Sequence, residues 1–424
     1  MMTAANNWSA PEAREIRATV YLPGSKSLTN RELVLSALAD EPTELVSPLV
    51  SRDTELMIAS LEALGTKFTW KGADLLVAPV LLSGPAKIDC GLAGTVMRFV
   101  PPLAMLANGE INFDGDTGAR MRPMKTTIES LQALGAEVNS STQSLPFTVI
   151  GKGAVSGGAI TIDASASSQF VSGLLLSAAK FDQGLTLTHE GEGLPSLPHI
   201  EMTLATLRAR GVVATAIDSS SWRVEPGSIS GGKIVIEPDL SNAGPFLAAA
   251  MVTRGTVQIP NWPRTTTQVG DQYRHILARM GARVEVTDGV LAVSGAGEIQ
   301  GIDVDLSEAG ELAPTIAALC ALAVSPSKLT GIGHLRGHET DRLKALVAEI
   351  NNLGGSAKEL VDGLEITPRT LHGGVWHTYH DHRMATSGAI IGLAIKGIEV
   401  ENIETTAKTM PGFPSMWLEM LGQT

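Results

Sequence analysis

SLQALGAEV, residues 130–138, reads as a helix that ends on a glycine and turns at once into strand-like residues. The pattern recurs as SLEALGTKF (60–68), TLRARGVVA (206–214), ILARMGARV (276–284), EINNLGGSA (349–357) and WLEMLGQT (417–424). Its glycines, Gly65, Gly135, Gly211, Gly281, Gly354 and Gly422, lie 70, 76, 70, 73 and 68 residues apart. A glycine just beyond a helix supplies the left-handed φ with which the chain leaves it. One such ending is commonplace; six at near-constant spacing predict a unit repeated six times.

Between the markers, 147–162 and 284–305 alternate as strands with glycine turns, and 168–180, 242–253 and 310–324 read as apolar helices. The unit is therefore mixed α/β and too long for the common solenoid repeats. Six copies predict two globular domains of three units each. The chain stops just after a marker helix, so Ile16–Tyr21 is read as the strand that completes the last unit. That reading gives a discontinuous domain of residues 1–19 and 239–424 and an inserted domain of residues 20–238, with an active site expected between them.

The 424 residues, 44% of them hydrophobic and 18% charged, suit a globular protein of this size. A net charge of −12 argues against nucleic acid or an acidic membrane as partner, and it makes local clusters of cations notable. The two cysteines, Cys90 and Cys320, offer no disulfide framework, and no apolar run is long enough to span a bilayer. A cytoplasmic protein is expected.

Cations gather where helices begin. In LPGSKSLTNR (22–31), Lys26 and Arg31 flank small hydroxyl residues at the start of an apolar helical pattern. The Thr29–Glu32 spacing predicts a capping box and a helix start near Ser27–Thr29. Free N–H groups, the helix dipole and two cations make that start a docking place for a phosphate or carboxylate, without the spacing of a P-loop. CGLAGTVMRF (90–99) sets Gly94, Thr95 and Arg98 at a second helix start, and GDTGARMRPMKTT (115–127) carries Arg120, Arg122 and Lys125. SASSQF (165–170) offers Ser167, Ser168 and Gln169, a neutral set that reads either as a cap or as a sugar or phosphate contact. Glu311 stands in an apolar helix and reads as a general base or as a first-turn acid. HLRGHETDRLKAL (334–346), HTYHDHRMA (377–385) and TTAKTMPGFP (405–414) bring His334, Arg336, His338, Glu339, Asp341, Arg342, Arg383 and Lys408. His372, His377, His380, Asp381 and His382 lack the spacings of common zinc sites, and Arg383 is a poor neighbour for a cation, so no metal is expected. No G-x-S-x-G elbow is present.

Taken in order, LPGSKSLTNR, AGTVMR, SSQF, GHETDR, DHRMA and AKT resemble the 5-enolpyruvylshikimate-3-phosphate synthase family of enolpyruvyl transferases along essentially the whole chain. The resemblance implies two α/β domains of three repeated units in an inverted pseudo-threefold arrangement, with the active site in the interdomain cleft. It implies transfer of the enolpyruvyl group of phosphoenolpyruvate to the 5-hydroxyl of shikimate 3-phosphate, a step towards the aromatic amino acids, with no cofactor and no metal. The partners implied are the two small-molecule substrates, with no nucleic acid, no membrane and a monomeric enzyme.

By the same resemblance, Lys26, Ser27, Arg31, Ser167, Ser168, Gln169, Ser196, Glu311 and His338 hold shikimate 3-phosphate. Lys26, Gly94, Arg122, Gln169, Arg342, Arg383 and Lys408 hold phosphoenolpyruvate. Glu311 is implied as the base for the 5-hydroxyl, Glu339 as the acid at the methylene carbon, and Lys26 as a third catalytic group. The chain departs from the commoner pattern at Leu92, His199, Glu311, His334 and His338, where Asn, Tyr, Asp, Asn and Lys are usual. A UDP-N-acetylglucosamine enolpyruvyl transferase and a non-catalytic anion-binding protein on the same fold are the competing readings. Against the first stand Lys26-Ser27 in place of Lys-Asn and a 114–122 loop without cysteine.

Overall fold

Helices that are apolar on every side must be buried, and those apolar on one stripe must lie on a surface. The computed structural model, which describes residues 7–337 and 339–423, follows this division except at the helix Lys26–Ala37, which buries Thr29, Asn30, Arg31 and Glu32 beside its apolar residues. The helices Lys26–Ala37, Gly94–Ala104, Gln169–Ala178, Gly244–Thr253, Ala313–Ala321 and His382–Gly392 are buried along most of their length. The marker helices Arg52–Ala63, Lys125–Ala133, Leu197–Ala209, Tyr273–Arg279, Arg342–Asn352 and Phe413–Met420 bury one side only. All six marker glycines have positive φ, from +67° at Gly422 to +109° at Gly65, as the repeat predicted.

Among the described residues the strands form six sheets. In the unit 86–152, Ala86–Asp89 runs parallel to Asn108–Asp114 across the buried helix. The marker helix follows, and the hairpin Glu137–Ser140/Phe147–Lys152 returns antiparallel to Asn108–Asp114. Period-2 alternation sets the register: Ile111 faces Val149 and Phe113 faces Phe147, all buried, with the two rings stacked at 5.0 Å. A βαβαββ order with this pairing also builds the sheets of residues 158–224 and 303–367.

The chain divides into two compact units, Gly24–Glu237 and Met1–Pro23 with Pro238–Thr424. Each has its own apolar core. The first sheet of the Gly24–Glu237 unit takes its parallel strand from the far end, where Gly232–Val235 pairs with Thr43–Val46.

Two expectations are corrected here. The strand Arg17–Thr19 does not complete the last unit; it pairs parallel with Thr256–Ile259. The last sheet is completed instead by Asn7–Ser9, antiparallel to Ile398–Glu401. The place beside Thr256–Ile259 that a strand just before the buried helix takes in the units 86–152, 158–224 and 303–367 is taken here by the chain start. The first helix starts at Lys26 rather than near Ser27–Thr29, because Ser25 is its cap and its Oγ accepts from the Leu28 amide at 3.5 Å. Thr29 Oγ1 accepts from the Leu49 amide instead of capping.

Glu32, freed from any capping role, points inward. It is 6% exposed and lies 3.7 Å from Arg210, whose Nη2 donates to Ser36 and Thr43. Burial pushes the Glu32 carboxyl up from an ordinary value of 4.5 to about 7, against the pull of Arg210. A carboxyl raised in the folded chain binds its proton more tightly there than when unfolded. Its contribution to stability is therefore full below pH 4.5 and is lost as the pH rises through 7. Glu32→Gln should remove this slope, so that its unfolding free energy gains on the wild type by about 3 kcal/mol between the two limits. Parallel stability curves from chemical denaturation at pH 4.5 and pH 8 would rule it out.

Candidate active site

A buried helix can offer a ligand only its end, and the motifs stand at the starts of helices of both kinds. In the Gly24–Glu237 unit, Lys26 is the first residue of its helix, with Nζ 3.5 Å from Asp53, whose side chain is nearly inaccessible. Ser27 lies in the same first turn, where backbone N–H groups lack partners within the helix. Arg31, one turn on, is 2% exposed: Nη1 donates to the Ser27 carbonyl at 2.9 Å, Nη2 to His199 O at 2.8 Å and Nε to Thr203 Oγ1 at 2.9 Å. Its guanidinium also stacks over Phe99. Arg31 thus ties the Lys26–Ser27 turn to the helix that Ser196 opens. Ser196 holds a left-handed φ of +57°, unusual for a residue with a side chain. Asn30 Nδ2 donates to Thr95 Oγ1, which joins the first two helix starts.

The third start adjoins the second. A methyl group on Gly94 would lie 3.0 Å from both Arg122 Nη2 and Gln169 Oε1, so these three residues form one corner. Arg122 Nη1 donates to Leu92 O, so Leu92 takes part through its carbonyl although it lacks the amide side chain usual there. Ser167 Oγ accepts from the Gln169 amide, and Ser168 is buried at the cap position. Beneath the corner lies Arg98, fully buried, donating to Gly94 O at 3.4 Å and Pro123 O at 3.2 Å. Burial, and then the neighbouring Arg122, hold its pKa well below the ordinary value. Two guanidiniums side by side, with no carboxylate paired to either among the described residues, favour a bound anion.

The second unit presents its own set. Glu311 is the middle residue of the short 3-10 turn Gly310–Leu312 ahead of the Ala313–Ala321 helix. Its Oε1 accepts from Ser241 Oγ and lies 3.7 Å from Arg383 Nη2. Gly310 is packed against His334, whose pKa burial pulls below its ordinary value. Glu339 stands between two cations: Oε1 accepts from Lys408 Nζ and Oε2 from Arg342 Nη2 at 2.9 Å. Arg342 also donates from Nε to Asp381 at 2.7 Å. Burial would weaken the Arg342 proton, but Asp381 and Glu339 outweigh it and raise its pKa. Asp381 caps the His382–Gly392 helix, so one carboxylate orients both Arg342 and the turn that bears Arg383. His338 lies outside the described residues. Among those described, no group of three or more His, Cys, Asp or Glu is placed to hold a metal, and no helix is long and apolar enough to cross a membrane.

The structure thus joins Gly94 with Arg122 and Gln169, Lys26 with Ser27 and Arg31, Glu311 with Arg383, and Glu339 with Arg342 and Lys408. Sequence reasoning missed Ser241, and it considered Asp381 only as a metal ligand. An Asp just before a helix that begins with His-Arg is a cap signal and could have been found. Ser241 precedes the Gly244–Thr253 helix, and nothing local points to Glu311, 70 positions on, as its partner. Arg98 was read as part of a helix start, and nothing in its spacing reveals that it is buried beneath Gly94.

The profile of the family described as EPSP synthase (3-phosphoshikimate 1-carboxyvinyltransferase) matches residues 11–417. A 3-phosphoshikimate 1-carboxyvinyltransferase of Kocuria rhizophila is 58% identical over 429 aligned residues, which cover 98% of this chain and 96% of that protein. Two solved structures of EPSP synthase from Acinetobacter baumannii share the fold. One has a TM-score of 0.82 at 23% identity, covering 98% of both chains; the other has 0.81 at 22%, covering 97% of both.

Because the contacts around Gly94 end on movable side chains, Gly94→Ala should displace the Arg122 guanidinium and leave the fold intact. Titration with inorganic phosphate and phosphoenolpyruvate should show affinity for one or both reduced roughly tenfold, the worth of one good charge-assisted hydrogen bond. Unaltered affinity for both anions would place the anion away from this corner.

Proposed function

The chain belongs to the EPSP synthase family, the 3-phosphoshikimate 1-carboxyvinyltransferases, and from that premise we propose how its own residues carry the reaction. It is an enzyme of aromatic amino acid biosynthesis that transfers the enolpyruvyl group of phosphoenolpyruvate to the 5-hydroxyl of shikimate 3-phosphate and releases phosphate. Lys26, Ser27 and Arg31, with Ser167, Ser168, Gln169, Ser196 and His338, hold shikimate 3-phosphate. Gly94, Arg122, Gln169, Arg342, Arg383 and Lys408 hold phosphoenolpyruvate, and Lys26 serves both. Support comes from the free amides at the helix starts, from the paired guanidiniums beside Gly94, and from the cations that flank Glu311 and Glu339.

The chemistry needs a base and an acid. In the addition, Glu311 takes the 5-hydroxyl proton while the oxygen attacks C2 of phosphoenolpyruvate, and Glu339 delivers a proton to C3. In the elimination, Glu339 takes a proton back from C3, the C2–O bond to phosphate breaks, and the departing phosphate takes the proton that Glu311 holds. Each carboxylate is thus used in both directions. Cations fixed in advance orient the two anions and stabilise the charge of the leaving phosphate. The observation that carries the assignment is the placement of two carboxylates, Glu311 on Arg383 and Ser241, and Glu339 on Lys408 and Arg342.

Glu311→Gln keeps the hydrogen bond with Ser241 and removes the base. Binding of both substrates should stay within a few-fold of wild type while kcat falls by about 10²–10⁴. Phosphate release measured with shikimate 3-phosphate, and in parallel with UDP-N-acetylglucosamine, gives the readout. Undiminished turnover would mean that another group is the base.

A further inference from the structure

Glu349 is a fully buried carboxylate that the reaction does not use. It lies on the helix Arg342–Asn352, two turns from Arg342 and on the same face. Its Oε1 accepts from Tyr379 Oη at 2.6 Å and its Oε2 from the His377 amide at 2.9 Å. Burial first, and the carboxylate second, raise the Tyr379 pKa, so the hydroxyl remains a donor. Between these anchors the backbone does something costly. Tyr379 and His380 both adopt left-handed φ, +54° and +58°, in succession and without glycine. The next residue is Asp381, whose amide donates to Thr378 O at 2.8 Å and whose carboxylate receives Arg342 and the Arg383 amide.

These contacts close a ring: Arg342, its helix, Glu349, the 377–380 turn, Asp381 and Arg342 again. We propose that Glu349, through Tyr379, is a positioning residue for phosphoenolpyruvate: it holds the 377–380 turn left-handed and thereby sets Asp381 and the guanidiniums of Arg342 and Arg383. This rests on the reading above that those arginines bind phosphoenolpyruvate. A carboxylate that served packing alone would not need to grip both sides of a strained turn, nor would that turn lead directly into the cap of the arginine-bearing helix.

The test is steady-state kinetics on Tyr379→Phe, with Glu349→Gln as the second variant should the first fold poorly. The Tyr379→Phe change should raise the KM for phosphoenolpyruvate about tenfold, the scale of one hydrogen bond to a buried carboxylate, with a smaller change in kcat. The KM for shikimate 3-phosphate should stay near wild type. Adding His380→Gly, which supplies a left-handed residue without strain, should recover part of the lost affinity. An unchanged KM for phosphoenolpyruvate, or equal losses for both substrates together with a lower Tm, or no recovery by the glycine, would overturn the proposal. Arg383→Lys tests the underlying reading separately. If it leaves the KM for phosphoenolpyruvate unchanged, the assignment of the site fails; if it raises that KM while Tyr379→Phe does not, only the positioning role fails.

Discussion

A helix packed on all sides has nothing but its ends to give to chemistry. Six helices here are buried in this way, and their interiors are sealed by Leu, Val, Ala and Phe. Their first turns retain the unpaired N–H groups and the positive end of the dipole, which favour anions without any side chain. Lys26, Gln169 and Arg383 stand at such ends, while Arg342 opens one of the half-buried marker helices.

The two units solve the problem of holding cations differently. In one, Arg98 and Arg122 face each other's charge without a carboxylate partner among the described residues, and backbone carbonyls fix their positions. In the other, Arg342 is locked by Asp381 and Glu339. An anion on the first corner relieves a repulsion, whereas an anion on the second competes with carboxylates already in place. The first arrangement favours affinity. The second favours fixed geometry, in which proton-carrying groups sit next to the charges that will steer the reaction.

Much of this was legible in the sequence, because glycine after a helix has one physical meaning and period-2 alternation fixes a strand's face. The six repeats, the buried helices and the motif at each helix start follow from residues read locally. What escaped the reading were choices between equivalent partners. Arg17–Thr19 and Asn7–Ser9 are both short and strand-like, and only tertiary pairing decides which completes which sheet. Ser25 and Thr29 can both cap, and the competition is settled by Leu49, which claims Thr29. Glu32 looked like a capping acid because nothing local announces Arg210, 178 positions away, as its partner. Asp381 was overshadowed by the histidines around it.

The strand pairings also impose an order in time on a chain made from its N-terminus. Thr43–Val46 finds its parallel neighbour only when Gly232–Val235 exists, so the Gly24–Glu237 unit becomes complete in one stroke near the middle of synthesis. Arg17–Thr19 must wait for Thr256–Ile259, and Asn7–Ser9 for Ile398–Glu401. At translation rates of about 5–20 residues per second, Asn7–Ser9 stays without its partner for roughly 20–80 s after it is made. Throughout that wait its backbone donors and acceptors are open to any other strand that offers itself. The nested architecture therefore leaves Asn7–Ser9 with an open edge long after Gly24–Glu237 has all of its strands, whereas Arg17–Thr19 finds its neighbour soon after that point.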